Sequence, residues 1–239
     1  MAQALVPLKD LVRAKSRLAG LLRPSERRAL AQAMVEDVLA VLSRHKGINR
    51  VTLVSDDPGA GLLAARYDID HWEESSLGCS GLNPIVQEAS TRLLALGDEP
   101  LLVLHGDLPL LTTADISAVL HCQRQLEGLV IGCDLAGAGT NLLAFTRASA
   151  PQFCFGVDSC ARHLASARRA GVPVQVLQRS GIALDVDEPR DMHQVMAALD
   201  CAAAGKTFDL LHGSELGARV ELALATLDDN RDLDKGVAN

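Results

Sequence analysis

No CxxC pair, no GxGxxG, no GxxxxGK[ST], no excess of positive charge and no long apolar run occur in this chain of 239 residues. Each absence removes a class of protein. Without either glycine-rich motif, neither the dinucleotide fingerprint nor the P-loop can supply a phosphate cradle. Thirty acidic side chains against 23 basic ones leave a formal charge of −7. That surplus opposes broad electrostatic binding to nucleic acid or to an anionic membrane surface, so any anion must be met locally. No stretch approaches the roughly 18 uninterrupted apolar residues of a membrane span, and the run before Lys9 is too short for a signal h-region. A cytoplasmic location is therefore expected. The six cysteines (Cys79, Cys122, Cys133, Cys154, Cys160 and Cys201) are scattered through apolar or helical contexts. In a chain long enough not to need covalent staples, they are expected as free thiols.

What is present is apolar residue in quantity, 48% of the chain, enough to bury the core of one large domain or of a domain with a small appendage. It is arranged in two alternating periods. Strands are expected at 2–8, 50–55, "DIDHW", 100–105, "GLVIGC", "NLLAFT" and 174–178. Between them, helices are expected from a Ser25 cap to Gly47, after Asp57-Pro58, from Asn83-Pro84 to Gly97, and from Thr112 or Thr113 to about Leu126. Two more follow, from Asp158 or Ser159 to Gly171 and over 189–204. The run "PLLVLH" is almost wholly apolar, as in a strand covered on both faces. Strand and helix alternating at this spacing give an α/β fold with a mostly parallel central sheet and helices on both faces. Residues 1–204 read as one domain. Residues 205–239 read as an extension, helical over about 216–227 and ending in the polar, frayed "DDNRDLDKGVAN".

In such a sheet, ligands bind at the carboxyl ends of the strands. Behind the first strand lie Lys9, Arg13, Lys15 and Arg17, a basic loop able to hold a polyphosphate with side-chain charge, or else a solvated turn. In "LHGDLPLL" an apolar strand runs straight into Gly106 and Asp107. A carboxylate there is costly unless it is paired or binds a cation, so Asp107 is a candidate Mg²⁺ ligand as well as a candidate cap. In "LDVDEPRD", Asp185 and Asp187 are two apart and would project to one side of an extended segment towards Asp107. Asp187 with Pro189 equally has the form of an N-cap and N1 pair. Between "GTN" and "FGVDSCARH", Gly139 and Gly156 allow positive φ, Thr140 and Ser159 offer hydroxyls, and Ser159 opens a helix whose N-terminus favours an anion. His163, inside that helix, reads as a packed or surface histidine rather than a catalyst. A basic loop, carboxylates for Mg²⁺ and a second anion site are together what nucleotidyl transfer onto a phosphate needs.

The succession "VPLKDLVRAKSRL", "ERRALAQAMVEDVL", "GLNPIVQEA", "GDLPLL", "GTNLLAF", "FGVDSCARHLASA" and "LDVDEPRDM", covering about residues 4–200, resembles the guanylyltransferases of deazaflavin coenzyme (factor 420) biosynthesis. These are relatives of the molybdenum-cofactor nucleotidyltransferases. The resemblance implies a glycosyltransferase-A-like (nucleotide-diphospho-sugar transferase) fold and a Mg²⁺-dependent reaction. In it GTP donates GMP to the phosphate of 2-phospho-L-lactate, phosphoenolpyruvate or 3-phospho-D-glycerate, releasing pyrophosphate. It also implies that Lys9, Lys15 and Arg17 lie along the nucleotide phosphates, with Lys15 and Asp107 catalytic and Pro7, Leu8 and Asn83 near base and ribose. Asp107 and Asp187 would hold Mg²⁺, and Thr140, Gly156 and Ser159 would cradle the acceptor. The motif "DEPRDMH" departs from the DTP-and-DL pattern more frequent in relatives, and the extension past residue 205 is compatible with a homodimer contact. Another nucleotidyltransferase of the same fold, or a non-catalytic nucleotide-binding regulator, are the other readings.

Overall fold

The computed structural model describes residues 1–11, 14–199 and 205–236, with side chains through residue 225. Arg13, Cys201 and the helix end expected at 200–204 lie outside the described residues. One seven-stranded sheet is built from β1 (Ala2–Pro7), β2 (Ile48–Val54), β3 (Asp70–Trp72), β4 (Leu101–Leu104), β5 (Leu129–Cys133), β6 (Thr140–Phe145) and β7 (Val174–Leu177). Its helices are α1 (Pro24–Arg44), α2 (Ala60–Tyr67), α3 (Leu82–Ala95), α4 (Thr113–Leu126), α5 (Ser159–Arg169), α6 (Ser180–Ala183), α7 (Pro189–Ala198), α8 (Lys206–His212) and α9 (Glu215–Gly236). Every expected strand is present, and the mostly parallel α/β architecture is borne out. Among the described residues no helix is long and apolar enough to cross a membrane, and Cys79, Cys122, Cys133, Cys154 and Cys160 are free thiols.

The strand order is β3-β2-β1-β4-β6-β5-β7, with only β6 antiparallel to its neighbours. Alternation along the central strands feeds two cores. Leu102 and Leu104 of β4 pack on one side with Val35 and Leu39 of α1 and Val119 of α4. Leu101 and Val103 pack on the other with Val86 and Leu93 of α3. Both faces are therefore dry, which is why "LLVL" carries no polar residue. The chain leaves β1 towards β2 and β3, then returns to β4 on the other side of β1. The loops after β1 and β4 thus diverge and open a crevice at the switch point of the sheet.

Several boundaries differ from expectation for local reasons. Arg23 caps α1 and Glu26 accepts its N–H at 2.7 Å, so Ser25 lies within the first turn; Pro24 takes N1, where its missing N–H costs nothing. Glu188, not Asp187, caps α7, with Pro189 again at N1. The short α6, which no sequence signal announced, separates β7 from the acidic stretch. The last helix is longer than the expected 216–227 and continues to Gly236, since a helical backbone tolerates Asp, Asn, Arg and Lys at modest cost. A third core joins Leu30 and Met34 of α1 to Met192 and Val195 of α7, Leu211 of α8, and Val220 and Leu224 of α9. Asp37 of α1 accepts from the N–H groups of Lys206 at 2.6 Å and Thr207 at 2.9 Å, capping α8. Residues beyond 205 are thereby built onto the main body.

The loop after β1 is held by a buried carboxylate. Asp57 accepts from the Leu11 N–H at 2.9 Å and the Gly59 N–H at 2.7 Å, which also delays α2 to Ala60. Asp57→Ala leaves the Leu11 N–H without its partner, and a loss of about 1–3 kcal/mol is expected. Denaturant unfolding measures it; a change below a few tenths would show that the carboxylate does not hold this loop.

Candidate active site

Three stretches meet at the crevice. Lys15, from the loop after β1, has a left-handed backbone (φ 54°, ψ 42°), a conformation that costs a lysine about 1–2 kcal/mol. Its ammonium reaches Asp107 Oδ2 at 2.5 Å and Asp187 Oδ1 at 3.0 Å. Asp107 stands just beyond β4, after Gly106, where a Cβ would come within 2.9 Å of Val35 Cγ2. Asp187 and Asp185 come from the segment between α6 and α7, with Val186 between them fully buried in the third core. That alternation turns both carboxylates towards the crevice, as their spacing predicts.

The electrostatics follow from burial opposed by pairing. Desolvation alone would lower the Lys15 pKa, but Asp107 and Asp187 outweigh it and hold the ammonium above its ordinary value. Burial likewise works to raise Asp107, yet Lys15 and His105 hold it below the usual carboxylate range. Among the described residues no cation is paired with Asp185: burial, then the charge of Asp107, push it up to about 6. Asn141 holds it in place, donating to Asp185 Oδ1 at 3.0 Å and to the Ile182 carbonyl at 2.9 Å. Asp107, Asp185 and Asp187 present oxygens all within 4.8 Å of one another, a hard-donor set suited to a cation of the Mg²⁺ type.

Pro7, Leu8, Lys9, Lys15, Asp107 and Asp187 line one cavity of about 920 Å³. Arg17 is exposed beside them, its guanidinium 3.9 Å from Asp187 and 3.5 Å from Glu188. Asn83 is placed differently. Its amide is committed to the Phe155 backbone, donating to the carbonyl at 3.2 Å and accepting from the N–H at 2.7 Å. It thus ties the start of α3 to the loop before α5.

Thr140, Gly156 and Ser159 gather at that loop. Gly156 has φ 122° and is exposed, whereas Thr140 and Ser159 are buried. Because β6 runs antiparallel, its first residue, Thr140, lies at the same edge of the sheet as the end of β4. His163 is fully buried, accepting at Nε2 from the Cys154 N–H at 3.0 Å. Its proton is therefore on Nδ1, which donates to Thr140 Oγ1 at 3.0 Å. Thr140 accepts from the ring, leaving its own hydroxyl proton to give. Phe155 meets His105 edge-on at 5.0 Å and His163 at 5.2 Å, so a row of rings connects the cavity to this cluster. Sequence reasoning missed His105, Asn141 and Phe155. The first two sat next to singled-out residues in "LHGD" and "GTN", but nothing local marks a ring contact or an amide that orients a distant carboxylate.

Its family model and its relatives place the chain among the nucleotidyltransferases. In architecture the chain is similar to a Desulfovibrio desulfuricans G20 protein described as a nucleotide-diphospho-sugar transferase, with TM-score 0.78 and 18% identity, covering 93% of this chain and 98% of that one. The family model for guanylyl transferase, CofC like, matches residues 2–208. Phosphoenolpyruvate guanylyltransferase of Conexibacter woesei is 40% identical over 79% of this chain and 84% of its own length. That of Rubrobacter xylanophilus is 38% identical over 82% and 93%. The chain belongs to the CofC-like guanylyltransferase family, as its motifs led one to expect.

His163 should stay neutral. Burial, with a smaller contribution from Arg162, pushes its pKa down to about 4. Its folded pKa lies below the unfolded value, so its contribution to stability is present above about pH 6.5 and is lost as pH falls towards 4. Imidazole chemical shifts should be flat from pH 8 to about 5; a midpoint near 6.5 would show a solvated ring.

Proposed function

We propose that this enzyme transfers GMP from GTP to the phosphate of a short phosphorylated carboxylic acid, with Mg²⁺ bound at Asp107 and Asp187, as a step in deazaflavin coenzyme biosynthesis. Phosphoenolpyruvate is the first acceptor to test, because the relatives at 40% and 38% identity carry that name. The observation that carries the reading is the Lys15 ammonium held between Asp107 and Asp187 at the crevice of the sheet. Cationic and anionic groups there stand where a triphosphate and its counter-ion both need partners.

The carboxylates fit the metal: oxygen donors only, close together, with Asp185 beside them. When bound, such an ion neutralises phosphate charge and the departing pyrophosphate. The side chains of the protein account for the rest. Pro7 and Leu8 wall the nucleoside, while Lys9, Lys15 and Arg17 lie along the phosphates and oppose their charge. Asp107 and Asp187 would hold the ion, and the Lys15 ammonium beside them would donate to the α-phosphate oxygens. Thr140 offers the hydroxyl proton that His163 does not occupy, and Ser159 and the Gly156 backbone complete a cradle for the acceptor's carboxylate and phosphate. An acceptor phosphate oxygen then attacks the α-phosphorus as the bond to the β-phosphate breaks and pyrophosphate leaves. That oxygen is already ionised at neutral pH, so no strong base is required. Asn83 acts by holding the Phe155 loop.

Pyrophosphate release with GTP and each of the three acids tests the reading, and turnover with none of them would overturn it. Asp107→Ala should reduce the rate at least about 100-fold while leaving circular dichroism unchanged. Turnover retained with Mg²⁺ would remove Asp107 from the site. Ser159→Ala should raise the KM of the acceptor more than that of GTP; equal effects on both would take Ser159 out of the acceptor site.

A further inference from the structure

The same cavity is also lined, on the side of β2 and β3, by Asp56, Pro58, Glu74, Gly81 and Leu82. Asp56 and Pro58 follow β2, Glu74 follows β3, and Gly81 and Leu82 begin α3. In the strand order, β3 stands three places from β4. Glu74 and Asp107 are thus anchored about 14 Å apart across the strand ends. A nucleoside with its α-phosphate at Lys15 spans that distance, its base falling at the Glu74 end. This rests on GTP being the donor.

The carboxylates at that end are not equivalent. Asp56 Oδ1 is engaged by Ser75, accepting from its N–H at 3.2 Å and its hydroxyl at 3.3 Å. Asp57 is turned away to the Leu11 and Gly59 amides. Glu74 lines the cavity, is half-buried, and has no hydrogen-bond donor among the described residues. Partial burial, then the charge of Asp56, raises its pKa, with Lys9 opposing. It is a carboxylate lining the cavity, and no described residue donates to it.

Guanine presents two adjacent donors on its pairing edge, N1–H and the 2-amino group, and a carboxylate has two oxygens to accept them. Adenine and cytosine offer an unprotonated ring nitrogen beside their amino groups, which would face the same oxygens lone pair to lone pair. Uracil offers a single donor between two carbonyls. We propose that Glu74 is the specificity-determining residue that reads the guanine edge of the donor nucleotide.

The test compares GTP with ITP, which keeps N1–H but lacks the 2-amino group, and with ATP. Binding of each is measured by calorimetry with Mg²⁺ and no acceptor, and pyrophosphate release is measured beside it. The wild-type chain should bind GTP about tenfold more tightly than ITP, and ATP more weakly still. Glu74→Ala should weaken GTP by about 10- to 100-fold and bring the GTP/ITP ratio close to one, with kcat at saturating GTP unchanged, as for loss of uniform binding. Glu74→Gln, which keeps the shape, should lower the same ratio, and serves if the alanine variant is unstable. A wild-type GTP/ITP ratio in both variants would overturn the assignment, as would a ratio that collapses in Asp56→Ala or Asp10→Ala and not in Glu74→Ala. If the wild-type chain binds ATP as tightly as GTP, the donor reading itself fails, and the assignment to Glu74 with it.

Discussion

An ammonium buried to 8% exposure cannot stand without anions, and the Lys15 contacts to Asp107 and Asp187 are the constraint around which this molecule is arranged. The two carboxylates lie 80 positions apart in the sequence, and neither lies within 90 of Lys15. To bring them together, β4 must return beside β1 rather than extend the edge at β3. The late segment between α6 and α7 must also cross back to the same rim. Lys15 and Asp107 need one another, since each alone would bear the cost of burial, while Asp187 joins them from the more exposed side.

That late segment is held from behind. Val186 is fully buried in the third core with Leu18, Met34 and Met192, so its neighbours Asp185 and Asp187 are presented to the opposite side. The same core takes Leu211, Val220 and Leu224 from the final helices. Arg219 adds an ion pair to Glu26 at 2.7 Å and donates to the Leu21 carbonyl at 3.2 Å. The C-terminal helices therefore brace the back of the site, a role that a polar tail read by composition does not suggest.

The one antiparallel strand widens what the site can do. In an all-parallel sheet the residue after β4 would have a neighbouring strand's end beside it. Here it has the start of β6, and His105 donates its backbone N–H to the Asn141 carbonyl at 3.0 Å. Thr140 and Asn141 enter the site from this start, the first joined to α5 through His163, the second steering Asp185. The Asn83 amide, clasping the Phe155 backbone, links the start of α3 to that cluster.

By itself the sequence determined the strands and the larger helices, α6 and α8 excepted. Its apolar runs form the strands they announced, because "LLVL" can be satisfied only where both faces are covered, and Lys9, Lys15, Arg17, Asp107, Asp185 and Asp187 sit at or beside the crevice. Two aspartates separated by one apolar residue already implied a shared direction. The tertiary structure alone decided the partners. That Lys15 would meet Asp107 and Asp187, that Asn83 would serve a backbone rather than open space, and that Asp56 would be occupied and Glu74 left to face the cavity depend on contacts between segments far apart in the chain. Such pairings are set by strand order and by burial shared among three cores. No local propensity or spacing carries that information, since hydrogen bonds and Coulomb forces act on where the fold brings atoms and not on their order along the chain.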